Sequence, residues 1–198
     1  MKEMIRKRFE ESVAVTRSAG ERLAGAIAEA AETIIAACRQ GGAVFVFGNG
    51  GSAADAQHIA CELVGRFLAE RPALRAEALT TDSSVLTCIA NDYSFETVFA
   101  RQLEGKARRG DVAVGLTSSG NSPNVVAALA KARQIGLRTI ALTGMGGGKC
   151  ADLADVLLDV PARATPRVQE AHAVIYHVIC ELVEKAFVDD AQSPPYVR

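Results

Sequence analysis

Short apolar runs alternate with helical stretches along most of the chain. Five short runs are predicted to be strands, of which four are clearly apolar and the one at 75–79 is weaker. They lie at 43–47, 75–79, 112–116, 139–142 and 156–160. Helices are predicted between them at 53–69, 83–90, 95–107, 122–135 and 147–153, and a last helix at about 166–188. Strands and helices that alternate at this spacing predict a parallel sheet with helices on both faces.

A long helical region precedes the first strand. Apolar residues recur at helical spacing from Leu23 to Ala37. We expect residues 2–39 to form N-terminal helices with a break near 18–20, where a serine and a glycine stand. The chain of 198 residues is long enough for one domain with a substantial core, so we expect a single domain over 1–198. The last ten residues, 189–198, are predicted to be a disordered tail.

A glycine-rich turn follows the first predicted strand directly. Its residues are Gly48, Asn49, Gly50 and Gly51. The turn cannot continue the strand, and Ser52 is predicted to cap the helix that follows it. A turn of this kind places backbone N–H groups at the positive end of a helix, where they attract anions.

A second polar turn follows the strand at 112–116, and hydroxyl groups dominate it. The four hydroxyls are those of Thr117, Ser118, Ser119 and Ser122. A helix cap needs one side chain, for which Ser119 or Asn121 would serve, so four hydroxyls are more than capping requires. In open parallel sheets, ligands bind beyond the carboxyl ends of the strands, where both turns are expected. The two turns together predict a phosphorylated ligand.

Two nucleotide-binding motifs fit the chain less well. Gly48, Gly50 and Ala53 match the spacing of the dinucleotide fingerprint, but no acidic residue closes the second strand at the required distance. The segment 144–150 is only partly similar to a P-loop, because Thr143 stands where the motif has its first glycine. We therefore expect no nucleotide cofactor, and a flexible turn at 144–150.

His58 and Glu62 are four residues apart in a predicted helix, which places them on one face. They could form an acid–base set or half of a metal site. They could equally form a surface ion pair, or His58 could be a core histidine bonded to a carbonyl group. The other two histidines, His172 and His177, share the last helix with Gln169.

Composition narrows the range of partners and compartments. The formal net charge is −1, without the basic excess of proteins that bind nucleic acids or membrane surfaces, so we expect neither partner. The five cysteines are Cys38, Cys61, Cys88, Cys150 and Cys180. They are odd in number and form no CxxC pair, which favours free, buried thiols in a reducing cytoplasm.

Six motifs in a fixed order closely resemble the phosphoheptose isomerases, a family of single sugar-isomerase (SIS) domains. The motifs lie at 48–52, at 58 and 62, and at 90–92, 117–122, 141–144 and 167–172. The resemblance implies an α/β fold, a three-layer α/β/α sandwich with a five-stranded, flavodoxin-like parallel sheet. It also implies N-terminal helices that are used in oligomerisation.

The resemblance further implies an aldose–ketose isomerase. The expected reaction converts D-sedoheptulose 7-phosphate to D-glycero-D-manno-heptose 7-phosphate through an enediol, a step toward the heptose of bacterial lipopolysaccharide. Glu62 would be the catalytic base and His177 the catalytic acid. The residues implied in binding the seven-carbon sugar phosphate are Asn49, Gly50, Gly51, Ser52, Glu62, Asn91, Asp92, Thr117, Ser118, Ser119, Ser122 and Gln169.

The family resemblance also implies a zinc site with one ion per subunit. The matching ligands are His58, Glu62, Gln169 and His177. Glu62 cannot easily be both a firm zinc ligand and a free base, so its role stays open here. This chain departs from some members at Pro166, where they carry an aspartate. The role of His172 is also open.

The spacing of two implied ligands bears on assembly. Gln169 and His177 are eight residues apart, which is about 12 Å along a continuous helix. They cannot then meet at one metal ion within one subunit. Either the helix is interrupted or a neighbouring subunit supplies one ligand, and we expect a site at a subunit interface. The resemblance likewise implies a homotetramer.

Three rival functions remain open on the sequence. SIS-domain relatives that bind the bacterial replication initiator without catalysis carry similar residues at 52–58 and 90–92. Such a binding protein does not need an acid–base pair, so the presence of Glu62 and His177 favours the enzyme. The chain could also isomerise another phosphosugar, or act as a lyase of the same fold, because sugar length is set by pocket depth.

Overall fold

The computed structural model describes residues 1–188, and the predicted tail at 189–198 lies outside them. The strands are β1 (Val44–Gly48), β2 (Ala76–Ala78), β3 (Val112–Thr117), β4 (Arg138–Thr143) and β5 (Val156–Asp159). The α-helices are α1 (Lys2–Arg39), α2 (Gly51–Val64), α3 (Ser83–Asp92), α4 (Val98–Lys106), α5 (Pro123–Ile135) and α6 (Thr165–Val188). Short 3-10 helices lie at Phe95–Thr97 and Gly148–Leu153. Across residues 1–188, every helix is too short or too polar to cross a membrane.

All five strands are parallel and lie side by side in the order β2-β1-β3-β4-β5. This order confirms the predicted flavodoxin-like sheet. From β1 the strand order proceeds to β2 on one side and to β3 on the other, so the topological switch point of the sheet lies between β1 and β3. Ligands bind at such a switch point, beyond the carboxyl ends of the strands. Gly48 pairs in register with Leu116, so the two strands end almost level. Both predicted polar turns therefore start at the switch point.

The sheet separates two apolar layers, because successive side chains along a strand point to opposite faces. Val44 and Val46 pack in the layer that contains α1, α2 and α6. Phe45 and Phe47 pack in the layer that contains α3, α4 and α5. A strand buried on both faces has no polar side, which explains the unbroken apolar run that marked β1 in the sequence. The predicted three-layer sandwich is confirmed.

Helix α1 runs without interruption from Lys2 to Arg39, so the predicted break near Gly20 is wrong. A glycine in a helix interior costs roughly 1 kcal/mol relative to alanine. Packing outweighs that cost, because Ala19 and Leu23 are buried in the layer shared with α6. The buried side chains of α1 begin at Ala19, so its first half lies outside the core.

Several other helix boundaries differ from the prediction. Helix α2 starts at Gly51 with Gly50 in the capping position, and Ser52 is not the cap but a buried residue of the first turn. The same helix ends at Val64 rather than at residue 69. The segment predicted as a helix over 147–153 is a 3-10 helix.

The cysteines are free, but only some are buried. Cys150 and Cys180 are buried and Cys38 is half-buried, as small apolar side chains would be. Cys61 and Cys88 are exposed, so the prediction of buried thiols is wrong for these two.

A buried ionic clamp joins the segment after α2 to helix α6. Three consecutive backbone N–H groups, at 67–69, donate to the Glu184 carboxylate at 2.7 Å each. The Arg71 guanidinium lies 4.0 Å from the same carboxylate and donates to the carbonyl oxygens of Glu62 and Gly65. Glu184 and Arg71 are only 3% and 5% exposed. The clamp therefore holds the segment that follows Glu62 against helix α6.

We expect Glu184→Ala to lower the free energy of unfolding by about 3–5 kcal/mol, because it leaves the buried charge of Arg71 without its ion-pair partner and three N–H groups without their acceptor. Urea unfolding at fixed protein concentration measures the change. Glu181→Ala on the same helix is the control, since Glu181 makes only an exposed ion pair with Lys185 and should change stability by less than about 0.5 kcal/mol. Equal effects of the two substitutions would contradict the clamp.

Candidate active site

The turn after β1 approaches both β3 and α6 more closely than a side chain would allow. A Cβ atom at Gly48 would lie 2.8 Å from the Leu116 carbonyl oxygen, and one at Gly51 would lie 2.5 Å from Gln169 Nε2. Gly50 has a φ of +57°, which favours glycine. No side chain caps α2, so the positive end of its dipole faces the turn directly.

The second turn gathers hydroxyl groups at the end of β3. The Thr117 hydroxyl lies 2.9 Å from Ser122 Oγ and 3.3 Å from Ser119 Oγ. The Ser118 hydroxyl lies 3.4 Å from that of Thr165, in the first turn of α6. The hydroxyls of Thr117, Ser119 and Ser122 thus cluster beside the start of α5, whereas that of Ser118 lies near the first residue of α6. This arrangement suits an anion with several acceptor oxygens.

Helix α5 has no hydroxyl cap, so the prediction that Ser119 or Asn121 caps it is wrong. Ser122 occupies the capping position without a side-chain hydrogen bond, and Pro123 fills the first helical position. The Asn121 side chain instead accepts from the backbone N–H of Lys149. Because no side chain caps α5, the positive end of its dipole is available to attract an anion.

A reciprocal amide pair joins the two turns. Asn49 and Asn124 each donate to the other's side-chain oxygen at 2.8 Å. Asn124 is 2% exposed and lies in the first turn of α5. Asn49 was recognisable in the sequence as part of the glycine turn, whereas the only signal for Asn124 was its place directly after the proline that starts the helix. The pair holds the glycine turn and the hydroxyl turn at a fixed separation.

Helices α2 and α6 bring His58, Glu62 and His177 together. His58 Nε2 lies 3.0 Å from Glu62 Oε1, which confirms that the two share a face. The His177 ring centroid lies 5.0 Å from that of His58 and 5.6 Å from that of Phe67. The Glu62 side chain is 17% exposed, against 42% for His58. Within residues 1–188 no group hydrogen-bonds to the His177 ring nitrogens, which leaves them available to a ligand.

Gln169 lies elsewhere on the same helix pair. Its side chain packs against Gly51, at the start of α2, whereas His177 meets His58 two turns further along. Helix α6 is continuous over Thr165–Val188, which excludes the alternative of an interrupted helix. Within one chain, Gln169 is therefore separated from His177 by about 12 Å along α6.

Asn91 and Asp92 belong to α3, which packs on the opposite face of the sheet from the helices α2 and α6 that carry His58, Glu62 and His177. They form the exposed last turn of α3, where the Asn91 amide donates to Asp92 Oδ1 at 2.8 Å. The thiol of Cys88 lies 3.5 Å from the other oxygen of Asp92. In the part of the chain that the structure describes, these hydrogen bonds remain within α3.

Known proteins match the chain over most of its length. The SIS domain family matches residues 8–144. The phosphoheptose isomerase of Aquifex aeolicus (strain VF5) is 52% identical over 185 residues, which are 93% of this chain and 97% of that protein. This chain belongs to the phosphoheptose isomerase family of SIS-domain proteins.

Solved structures of phosphoheptose isomerases agree with this assignment. The enzyme from Neisseria gonorrhoeae is 41% identical with a TM-score of 0.88, over 93% of this chain and 98% of its own. The enzyme from Francisella tularensis is 34% identical with a TM-score of 0.89, over 92% and 97% of the two chains. Membership of the phosphoheptose isomerase family makes this chain an aldose–ketose isomerase, which confirms the predicted enzyme class.

His172, whose role the sequence left open, is a buried structural residue of this phosphoheptose isomerase fold. It is 0% exposed, and its Nε2 lies 3.0 Å from the Thr143 carbonyl oxygen at the end of β4. Burial lowers the pKa of His172 to about 4. The ring is therefore neutral at pH 7, and it donates to the Thr143 carbonyl oxygen through Nε2–H. The bond fixes α6 to the strand next to the hydroxyl turn.

The low pKa of His172 predicts a loss of stability in acid. The unfolded chain binds the extra proton below pH 6.5, whereas the folded chain binds it only near pH 4. Stability should therefore fall as the pH drops from 6.5 toward 4, by about 2 kcal/mol at a pH near 5 relative to neutral pH. Urea unfolding at both pH values measures this loss. His172→Gln keeps a donor and should lose this part of the pH dependence; an unchanged dependence would contradict the assignment.

Proposed function

We propose that this isomerase converts D-sedoheptulose 7-phosphate to D-glycero-D-manno-heptose 7-phosphate through an enediol, with Glu62 as the base and His177 as the acid. The observation that carries the proposal is that α2 and α6 bring both Glu62 and His177 into contact with His58. The names of the relatives supply the substrate class. We place the reaction in the cytoplasm, on the way to lipopolysaccharide heptose, because a reducing compartment maintains five free cysteines.

The phosphate group would bind at the hydroxyl turn. Thr117, Ser119 and Ser122 present clustered hydroxyls, and the positive end of α5 lies beside them. Both features favour a dianion. The glycine turn, held to α5 by the Asn49–Asn124 pair, would contact the sugar. Asn91 and Asp92 are proposed to contact the sugar on the family pattern alone.

The two acid–base groups suffice for moving the carbonyl group from C2 to C1. Glu62 would take a proton from C1 while the C1–H electrons form the C1–C2 double bond and His177 protonates the C2 oxygen. In the second half, His177 would take the proton from the C1 hydroxyl as the aldehyde forms. Glu62 would then return its proton to C2. The two groups end in their starting states, and no nicotinamide is required.

The residues present also fit a zinc ion, one per subunit. Ligands of a tetrahedral zinc lie about 2.0–2.2 Å from the metal and so roughly 3.3 Å from each other, close to the 3.0 Å between His58 Nε2 and Glu62 Oε1. His58, Glu62, Gln169 and His177 would hold the ion. When bound, zinc supplies Lewis-acid polarisation of the substrate carbonyl group.

One chain does not assemble this ligand set, which supports a site between subunits. Gln169 and His177 are about 12 Å apart along the continuous helix α6. Within residues 1–188, His58 contacts both Glu62 and His177, but no group of three or more His, Cys, Asp or Glu side chains is already arranged to bind a metal ion. We propose that Gln169 of one subunit completes the site formed by His58, Glu62 and His177 of its neighbour.

Exposed apolar faces support assembly into the expected homotetramer. The first half of α1 exposes Met4, Ile5, Phe9 and Val13, and the outer face of α6 exposes Val174, Val178 and Leu182. An apolar groove runs between these two helices. Contiguous apolar surface of this kind marks protein contacts. We propose that further copies of the same chain cover it.

Conversion of sedoheptulose 7-phosphate by the purified protein tests the reaction. Glu62→Gln and His177→Ala should each lower kcat by about 10²- to 10⁴-fold, since each removes a proton-transfer group. Glu181→Gln, an exposed glutamate on α6, is the control and should leave kcat unchanged.

Three results would decide between the alternatives. An inactive wild type would contradict the proposed substrate, and other sugar phosphates would then be assayed. Full activity of Glu62→Gln would contradict its role as the base. Activity that a chelator abolishes and zinc restores would show that the reaction needs the metal ion, whereas chelator resistance would contradict the zinc proposal.

Mixed oligomers test the proposed interface. Gln169→Ala and His177→Ala should each be inactive alone. After dissociation and reassembly together, about a quarter of the sites under random mixing would combine an intact Gln169 with an intact His177 from different chains. We expect that fraction of wild-type activity to return. Hybrid oligomers, verified by mass spectrometry, that remain inactive would contradict the interface.

A further inference from the structure

The His177 imidazole is held in place by packing rather than by a hydrogen bond. Among residues 1–188, no donor or acceptor contacts either of its ring nitrogens. A side chain that transfers protons must nevertheless be held in one orientation, and in many enzymes a third group that hydrogen-bonds to it does this. Before substrate binds, the neighbouring rings must therefore provide that constraint.

In the described part of the chain, three rings from three segments contact this imidazole. The rings of Tyr176 and His58 meet it edge-on, at centroid distances of 4.8 Å and 5.0 Å. The Phe67 ring lies 5.6 Å away and is inclined by only 33°, so it is the closest of the three to parallel. Aromatic pairs at these distances are in packing contact. The orientation of the imidazole therefore depends on where these three rings are held.

Two of the rings are fixed by the helices that carry them. His58 belongs to α2 and Tyr176 to α6, and the Tyr176 hydroxyl lies 3.1 Å from His58 Nδ1. Phe67 differs, because it follows the end of α2 at Val64 and lies outside any helix or strand. It is also only half-buried. Its ring can constrain His177 only if the segment that carries it is anchored.

Glu184 provides this anchor. The backbone N–H of Phe67 itself donates to Glu184 Oε2 at 2.7 Å, and those of Leu68 and Ala69 donate to Oε1 at 2.7 Å each. Hydrogen bonds to an ionised carboxylate are shorter and stronger than neutral ones. Glu184 is buried, so water competes little for these bonds. The residue whose ring contacts His177 is thus tied directly to a buried charge.

The spacing along α6 explains why this anchor acts at the imidazole. His177 and Glu184 are seven residues apart, which is about two helical turns, so both project from the same face of α6. Phe67 meets that face twice, with its ring at His177 and with its backbone at Glu184. One continuous helix therefore fixes the imidazole and the residue that packs on it relative to each other.

We propose that Phe67 is a positioning residue for His177, with its ring held against α6 by Glu184 so that it fixes the orientation of the imidazole. The effect on rate rests on the proposed function, in which His177 is the acid. The order of the imidazole ring can be measured without substrate, so the positioning role and the proposed reaction can fail separately.

Phe67→Leu is the decisive variant, because it removes the ring and keeps both an apolar side chain and the backbone N–H that binds Glu184. We expect kcat to fall by about 10- to 100-fold, as it does when a reacting group is slightly misplaced. KM should stay nearly unchanged, because the groups proposed to bind the phosphate lie on other elements. Phe67→Tyr keeps the ring and should retain most of the activity.

Phe187→Leu is the matched control, because it makes the same change at another half-buried phenylalanine. Phe187 lies ten residues beyond His177 on α6 and packs against the core. The control should lose some stability and keep the wild-type kcat. Thermal unfolding and size-exclusion chromatography would show that every variant is folded and assembles as the wild type does.

The order of His177 is observed directly by NMR relaxation of the purified protein, labelled with ¹³C at Cε1 of its three histidines. His177→Gln identifies the resonance. A fixed ring gives a high order parameter for the Cε1–H bond. We expect Phe67→Leu to lower this order parameter and Phe187→Leu to leave it unchanged. Glu184→Gln, which removes the charge that anchors the segment, should lower it as well.

Each outcome decides one step. Unchanged order of His177 in a folded Phe67→Leu would overturn the positioning role, as would an equal loss of kcat in Phe187→Leu. Unchanged order in a folded Glu184→Gln would overturn the anchoring role of Glu184. Lowered order with an unchanged kcat would overturn the link between ring orientation and rate. A wild type that does not convert sedoheptulose 7-phosphate, but whose His177 loses order in Phe67→Leu, would contradict the proposed reaction while supporting the positioning role.

Discussion

The packing of α6 along α2 is the contact on which the candidate site depends. Three residues of α6, spaced about two helical turns apart, contact α2 or the segment that follows it. Gln169 packs at Gly51, where α2 begins, and His177 packs at His58 in its middle. Glu184 then binds the backbone at 67–69, beyond the end of α2. The proposed acid–base groups are placed by the contact of His177 with His58, and the contacts of Gln169 and Glu184 prevent α6 from sliding along α2.

The switch point of the sheet supplies the second half of the site. Because β1 and β3 are neighbours that end almost level, two turns with the chemistry of anion binding begin side by side. Their closeness demands small residues: a Cβ atom at Gly48 would clash with the carbonyl oxygen of Leu116 in β3. The buried Asn49–Asn124 pair then fixes the separation of the turns. A sugar phosphate would thus meet preorganised groups, which lowers the entropy cost of binding.

The elements that the sequence predicted correctly are those specified by residues close together along the chain. Apolar runs clearly identified β1 and β3, because strands buried on both faces need no polar positions, whereas β2, which contains Glu77 and is only partly buried, was weakly marked. The glycine and hydroxyl turns were recognised because their chemistry is local to a few residues. The four-residue spacing of His58 and Glu62 placed both on one face, since the helix period fixes that relation. Motif order was sufficient for the family and the enzyme class.

Local residues could not predict features that depend on packing between distant segments. Helix α1 is unbroken at Gly20 because burial against α6 outweighs the low helix propensity of glycine. The partners Tyr176 and His58 are 118 residues apart, and Asn49 and Asn124 are 75 apart, so neither pairing is visible in a sequence pattern. The sequence by itself determined the sheet, the turns and the chemical groups at its carboxyl edge. Only the tertiary structure decided which of those groups meet, because that depends on how α6 is seated on α2.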